Sequence, residues 1–319
     1  MSATLAQLLA AFSQYDTIII HRHREPDPDA IGAQTGLQTI LQTAYPTKTV
    51  LAAGEPAPAL EWIGAQQQVA ASAYAGALVV VIDTANIPRI AGEHWATGAL
   101  LMKIDHHPDR EPFGDLSYVD TTASSSSEIV ADLVAASDKL RLTPASAAQL
   151  YAGIIGDTGR FLYDLTHAHT HTVAARLLAQ GIDAPAIGRR EDEWSPAVAR
   201  LIGDALCRVQ VTTAGAGHLV LTQAQLADFG VDANTAQLVV GIVGRLASVQ
   251  AWAVFTERTD GQYRVELRGK TVAINALAVA HGGGGHPLAS GCVAPDRAAV
   301  ATITAELDAL VAHHTSRYN

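Results

Sequence analysis

The chain has 319 residues, 49% of them hydrophobic and 16% charged, which is enough apolar material for about two domains of ordinary size and carries no mark of disorder. Its formal charge of −10 with histidine neutral disfavours a grip on long duplex nucleic acid, so an anionic substrate has to be short and met by metal ions or a few converging cations. Cys207 and Cys292 stand outside any paired motif; this excludes a disulfide framework and a thiolate metal cage, and leaves His and carboxylate as the available metal ligands.

No positive charge precedes Arg22 and the first fifteen residues lack a continuous apolar block, so no secretory signal is expected. Short β-rich runs follow: TIII at 17–20, KTVL at 48–51, LVVVI at 78–82 and LLMKI at 100–104. Helical spacing separates several of them, at 30–43 and 128–136, with Asp29 and the serines at 125–127 as helix starts. The uncharged stretch 62–82 contains Gln66, Gln67, Gln68 and Ser72 and is a poor match to a bilayer-spanning helix. A cytoplasmic protein without a membrane partner is expected. The pattern predicts an α/β domain over 1–185, with a mainly parallel sheet flanked by helices.

The charged stretch IDAPAIGRREDEWSPAVARL, with Pro185 and Pro196, reads as a linker or connecting helix, and the linker is placed at 186–203. Strand-like runs at 207–212, 218–222, 251–256 and 263–268, with helical runs at 235–247, 274–280 and 297–313, predict a smaller α+β domain over 204–319.

Acids and imidazoles gather where strands end. HRHREPDPDAIG places His23, Asp27 and Asp29 after the first strand; VVVIDTAN ends a strand at Asp83; LLMKIDHHP ends another at Asp105, His106 and His107; YAGIIGDTGRF puts Asp157 in a Gly-flanked turn. Ligands of open parallel sheets bind at that edge. Each residue alone could be a cap or a turn former. Together, five carboxylates on one rim without cations would repel or protonate. Two divalent ions sharing a bridging carboxylate fit that set, and mixed carboxylate and imidazole ligation suits manganese.

These motifs, with the DHH tripeptide at 105–107 and GGGGHPLASG at 282–291, resemble the DHH phosphoesterases, within them the bacterial nanoRNase and phosphoadenosine-phosphate phosphatase branch with its DHH-associated C-terminal domain. The resemblance runs from about residue 17 to 294. It implies a metal-dependent phosphoesterase acting on short RNA oligonucleotides and on 3'-phosphoadenosine 5'-phosphate, with a ribose oxygen as leaving group. It also implies His23, Asp27, Asp83 and Asp157 around one manganese ion, and Asp29, Asp83 and His106 toward a second. His107 then holds a phosphate oxygen or protonates the leaving group, with Asp105 orienting a histidine. In the second domain Arg268 and the loop of Gly283, Gly284, Gly285 and His286 are implied to bind a nucleotide phosphate across an interdomain cleft, which selects short substrates. Glu25 stands where many relatives have a basic residue.

Two other readings stay open: a phosphodiesterase for linear or cyclic dinucleotides, and a nucleotide sensor that binds metal without turnover. A homodimer is compatible with the sequence. The alternating His167, His169 and His171 are expected at a solvated helix entrance.

Overall fold

The computed structural model describes residues 3–318, which divide into two compact units, one ending at Glu193 and the other starting at Trp194. The first unit runs α1 (Leu5–Gln14), β1 (Thr17–His21), α2 (Pro28–Ala44), β2 (Thr49–Ala52), β3 (Leu78–Ile82), β4 (Leu100–Asp105), β5 (Leu116–Val119), α3 (Ser126–Ala135), α4 (Pro144–Asp157), α5 (Ala168–Leu178) and α6 (Ala184–Glu191). Its five strands are all parallel, in the order β2-β1-β3-β4-β5.

Every residue of β3 is buried because both faces of the sheet are covered. Leu78, Val80 and Ile82 pack with Phe12, Leu37, Val130, Leu150 and Val173 from the helices. Val79 and Val81 face the other way, onto Ile19, Tyr74, Ile90 and Phe113 among short 3-10 turns. The strand order reverses at β1, which has β2 on one side and β3 on the other. From there β1 leads on to β2 on one side and β3 to β4 on the other, the place where open parallel sheets form a ligand crevice.

Two expectations change here. Asp157 is the last residue of helix α4 rather than part of a turn following a strand, so a helix end reaches the rim alongside three strand ends. Asp29 does not cap α2; Asp27 does, its Oδ1 accepting from Ala30 N at 2.9 Å. Strand β5 escaped the sequence reading because LSYV is a short edge strand whose residues are all half-buried, without an apolar run.

The second unit comprises α7 (Pro196–Arg208), β6 (Gln210–Val211), β7 (Ala216–Leu221), α8 (Gln223–Phe229), α9 (Leu238–Val243), β8 (Ala251–Glu257), β9 (Tyr263–Gly269), α10 (Asn275–Ala280), β10 (Gly284–His286), β11 (Ala289–Ala294) and α11 (Arg297–Tyr318). Its sheet is ordered β10-β11-β9-β8-β7-β6, and only β7 and β8 run parallel. Phe255, Val265 and Leu267 pack on Ile303, Leu307 and Val311 of α11, while Trp252 and Val254 pack on Leu201 of α7 and Val239 of α9.

The stretch 186–203 is mostly helical. Pro185 and Pro196 sit in the first turns of α6 and α7, where a missing N–H costs nothing. The strand expected at 207–212 shrinks to β6 because α7 continues through Arg208. The helix expected at 235–247 is a 3-10 turn followed by the six residues of α9.

Candidate metal centre

His23 lies two residues past β1, where it forms an isolated antiparallel bridge with Ile90. Its Nδ1 is 2.7 Å from Arg24 O, so that nitrogen carries a proton and Nε2 is the atom turned toward the cluster. Nε2 faces two carboxylates, Asp27 Oδ2 at 3.5 Å and Asp83 Oδ2 at 3.4 Å. Pro28 holds Asp27 extended, at φ −103° and ψ −178°. One oxygen of Asp27 is thereby spent on the helix cap and the other turns to His23.

Asp83 follows β3 in the left-handed region, φ 53°, which costs a non-glycine residue energy. That conformation aims one carboxylate in two directions: Oδ2 toward His23, and Oδ1 toward His106 Nε2 at 3.5 Å and His107 Nδ1 at 3.6 Å. Ser126 Oγ donates to Oδ1 at 3.0 Å. Asp157 brings Oδ2 to 3.1 Å from His106 Nε2.

Asp29 is fully buried, and each of its oxygens accepts a backbone N–H from the start of α3, Ser126 at 2.7 Å and Ser127 at 2.9 Å. Gly153 makes this convergence of α2, α3 and α4 feasible, since a Cβ there would lie 2.0 Å from Ser127 Oγ and 2.7 Å from Asp29 Oδ1.

The two histidines of the DHH tripeptide separate. His106 turns into the cluster and His107 is tied back to Asp105, whose Oδ1 accepts from His107 Nδ1 at 2.8 Å and from His106 N at 2.9 Å. Buried Lys103 stands 3.4 Å from Asp105 Oδ2 and 2.8 Å from Asp109. Among the described residues, three overlapping groups have donor atoms close enough to share an ion: His23, Asp27 and Asp83; Asp83, His106 and His107; Asp29, His106 and Asp157. Asp105 belongs to none of them. Asp157 is grouped with Asp29 and His106, whereas the resemblance implied that it accompanies His23 and Asp27.

The electrostatics call for cations. Burial pushes the His23 imidazole down, but Asp27 and Asp83 outweigh it and raise it to about 10. His106 is driven well above its ordinary value against the same burial by Asp157, Asp83 and Asp29. Burial and then the charges of Asp83 and Asp157 push Asp29 far up. Asp157 is raised as well, by burial first and then by Asp27 and Asp83 against the pull of His106. Asp27 goes the other way, His23 overcoming its desolvation. Protons here take the place of metal charge.

His106 is only 7% exposed; its Nδ1 has no hydrogen-bond partner, while its Nε2 faces the carboxylates of Asp157 and Asp83, an arrangement that suits a shared cation. An all-oxygen and nitrogen donor set fits a divalent ion such as manganese, magnesium or zinc.

Three participants went unnoticed in the sequence. Lys103 hides inside the apolar run LLMKI. Ser126 was legible only as part of a helix start. Arg89, six residues beyond Asp83 in DTANIPR, has Nη2 3.3 Å from His23 Nδ1.

In the second unit the glycine run is not an open loop. Gly284, Gly285 and His286 form β10 and pair with β11. Tight backbone explains two of the glycines: a Cβ would lie 2.1 Å from Gly291 O at Gly283 and 2.6 Å from Ala289 O at Gly285. His286 pairs with Ala289, which pairs with Arg268, so these three share one row across the sheet edge. Arg268 gives Nη1 to Leu267 O at 3.0 Å. The histidines of the alternating tract do three separate things: His167 caps α5, exposed His169 pairs with Asp132 at 2.7 Å, and His171 lies against Phe161. His169 does have Glu128 and Asp132 within ligand-sharing distance.

This cluster at the switch point of a parallel sheet is a candidate metal centre, and sequence comparison gives its class. The DHH family, N-terminal domain, matches residues 17–154 and the DHHA1 domain matches residues 214–313; the chain belongs to the DHH family, whose members are phosphoesterases. It is 45% identical to a Streptococcus mutans protein named as a probable bifunctional oligoribonuclease and PAP phosphatase NrnA, over 89% of this chain and 91% of that one. It is 40% identical to the Bacillus subtilis bifunctional oligoribonuclease and PAP phosphatase NrnA, over 97% of this chain and 99% of that one. Among solved structures, an exopolyphosphatase-related protein from Bacteroides fragilis superposes with a TM-score of 0.84 at 25% identity, covering 96% of this chain and 97% of that one.

Proposed function

We propose that the chain hydrolyses short oligoribonucleotides to mononucleotides and removes the 3'-phosphate from 3'-phosphoadenosine 5'-phosphate, using two divalent ions, with manganese best suited to the donors. One observation carries this reading. His23, Asp27, Asp29, Asp83, His106 and Asp157 meet around a two-faced Asp83, in a chain whose relatives of matching length are named for that pair of activities.

In this reading Asp83 would be shared by two sets of donors, His23 and Asp27 on one side and His106, Asp29 and Asp157 on the other. These residues would hold the divalent ions, which would supply an activated water and positive charge for the phosphoryl oxygens. His107, 29% exposed, has Nδ1 engaged by Asp105, which leaves Nε2 to hold a non-bridging phosphate oxygen or give a proton to the leaving ribose oxygen. Asp105 sets the tautomer of His107, and Lys103 keeps Asp105 ionised: burial raises the Asp105 carboxyl, and His107 with Lys103 bring it below its ordinary value. In the second unit Arg268, Gly283, Gly284, Gly285 and His286 bind a nucleotide phosphate, Arg268 as the fork-shaped donor. No helix among the described residues is long and apolar enough to cross a membrane; a cytoplasmic site of action follows from the substrates proposed.

The test is a substrate panel with metal occupancy measured in parallel. Mononucleotide release from a short RNA and phosphate release from phosphoadenosine phosphate are both expected with manganese. Metal-loaded protein that turns over neither overturns the reading in favour of a sensor. Turnover confined to a cyclic dinucleotide supports the rival phosphodiesterase.

A further inference from the structure

The segment DTANIPR leaves β3 and returns to the end of β1. Arg24 N donates to Arg89 O at 2.7 Å, next to the bridge between His23 and Ile90. This register brings the exposed Arg89 guanidinium beside the metal centre, 3.3 Å from His23 Nδ1. The contact does not satisfy either group. Nδ1 already donates to Arg24 O at 2.7 Å, so two donors face one another and Arg89 keeps its hydrogen-bonding capacity for an acceptor.

Two of the cations around it are engaged and a third, Arg24, is held only through Nε. Lys103 is buried between Asp105 and Asp109. Arg22, 1% exposed, gives its two terminal nitrogens to His23 O and Glu55 O. Arg24 binds Ile90 O through Nε. The charge count then favours an anion at Arg89. In the reading above, two divalent ions would balance the carboxylates of Asp27, Asp29, Asp83 and Asp157 before substrate arrives. A phosphodiester adds one negative charge and a phosphomonoester up to two, in a partly buried site where unpaired charge is expensive.

We propose that Arg89 binds a non-bridging oxygen of the phosphate being hydrolysed, and that it contributes more to a dianionic monoester than to a monoanionic diester. This rests on the phosphoesterase reading above. A guanidinium suits the role because its planar fork matches phosphate oxygens and stays charged at any working pH.

The experiment compares wild type, Arg89→Ala and Arg89→Lys on an RNA dinucleotide and on phosphoadenosine phosphate, with manganese affinity measured by calorimetry. Arg89→Ala is expected to raise KM for phosphoadenosine phosphate by roughly 10- to 100-fold and for the dinucleotide by about 3- to 10-fold, with manganese affinity unchanged and Arg89→Lys restoring part of the loss. A KM unchanged for both substrates overturns the proposal. So does a fall in manganese affinity that accounts for the whole effect, which would make Arg89 a positioning residue acting through His23. If wild type turns over neither substrate, the phosphoesterase reading fails separately. Inorganic phosphate binding to the manganese-loaded protein still decides the Arg89 contact: weakening of about 10-fold in Arg89→Ala supports it, and equal affinity overturns it.

Discussion

Asp83 combines a backbone conformation that few residue types tolerate with a carboxylate facing imidazoles on two sides. Asparagine is the informative replacement. It accepts the left-handed region nearly as well as aspartate, so Asp83→Asn keeps the turn while removing the charge and one oxygen donor. The expected result is a loss of kcat of roughly two to three orders of magnitude, with a melting temperature close to wild type. Steady-state kinetics beside thermal circular dichroism checks both halves. Retention of most of the activity would remove Asp83 from the bridge. The contrast between His106 and His107 belongs to the same scale: adjacent residues of one type receive different tasks because Asp105 captures only one of the two rings.

Helix α3 illustrates how an element serves the site without offering a ligand. Ser125 caps it, accepting from Glu128 N at 3.0 Å, and the next two N–H groups are spent on Asp29. The helix start therefore satisfies a fully buried carboxylate with donors that have no partner inside the helix, and its dipole favours the negative charge. Ser125→Ala is expected to cost about 1 kcal/mol in urea unfolding. It should also weaken metal binding in calorimetric titration, because the first turn that holds Asp29 frays. A stability loss with metal affinity unchanged would show that Asp29 is held independently of the cap. Helix α4 contributes in another way: Gly153 lets it approach Asp29, and its last residue, Asp157, completes the cluster.

At the scale of the molecule, the first unit gathers a set of buried carboxylates, and burial first, then the neighbouring acids, push Asp29 and Asp157 up when no cation is present. Metal binding should therefore stabilise this unit. Ligand at 100 times its dissociation constant adds about 2.7 kcal/mol, a shift of roughly 5–10 °C for a unit of this size. Differential scanning calorimetry with and without chelator checks it, and the second unit's transition is expected to stay in place. Equal stability in both conditions would mean that the acids are accommodated without ions.

Much of this was legible in one dimension. The apolar runs LVVVI and LLMKI declare buried parallel strands, because both faces of such strands are covered. The acids and imidazoles placed just after them mark the sheet's carboxyl edge, where the chain must turn. Local sequence could not assign Asp157 to a helix end, since YAGIIGD fits buried strand and buried helix equally. It could not choose Asp27 over Asp29 as the cap, or tell His106 from His107. Those decisions, and the arrival of Lys103, Ser126 and Arg89, depend on contacts between segments far apart in the chain. Periodicity records which faces are buried, whereas the partner of each polar atom is set only when the elements pack.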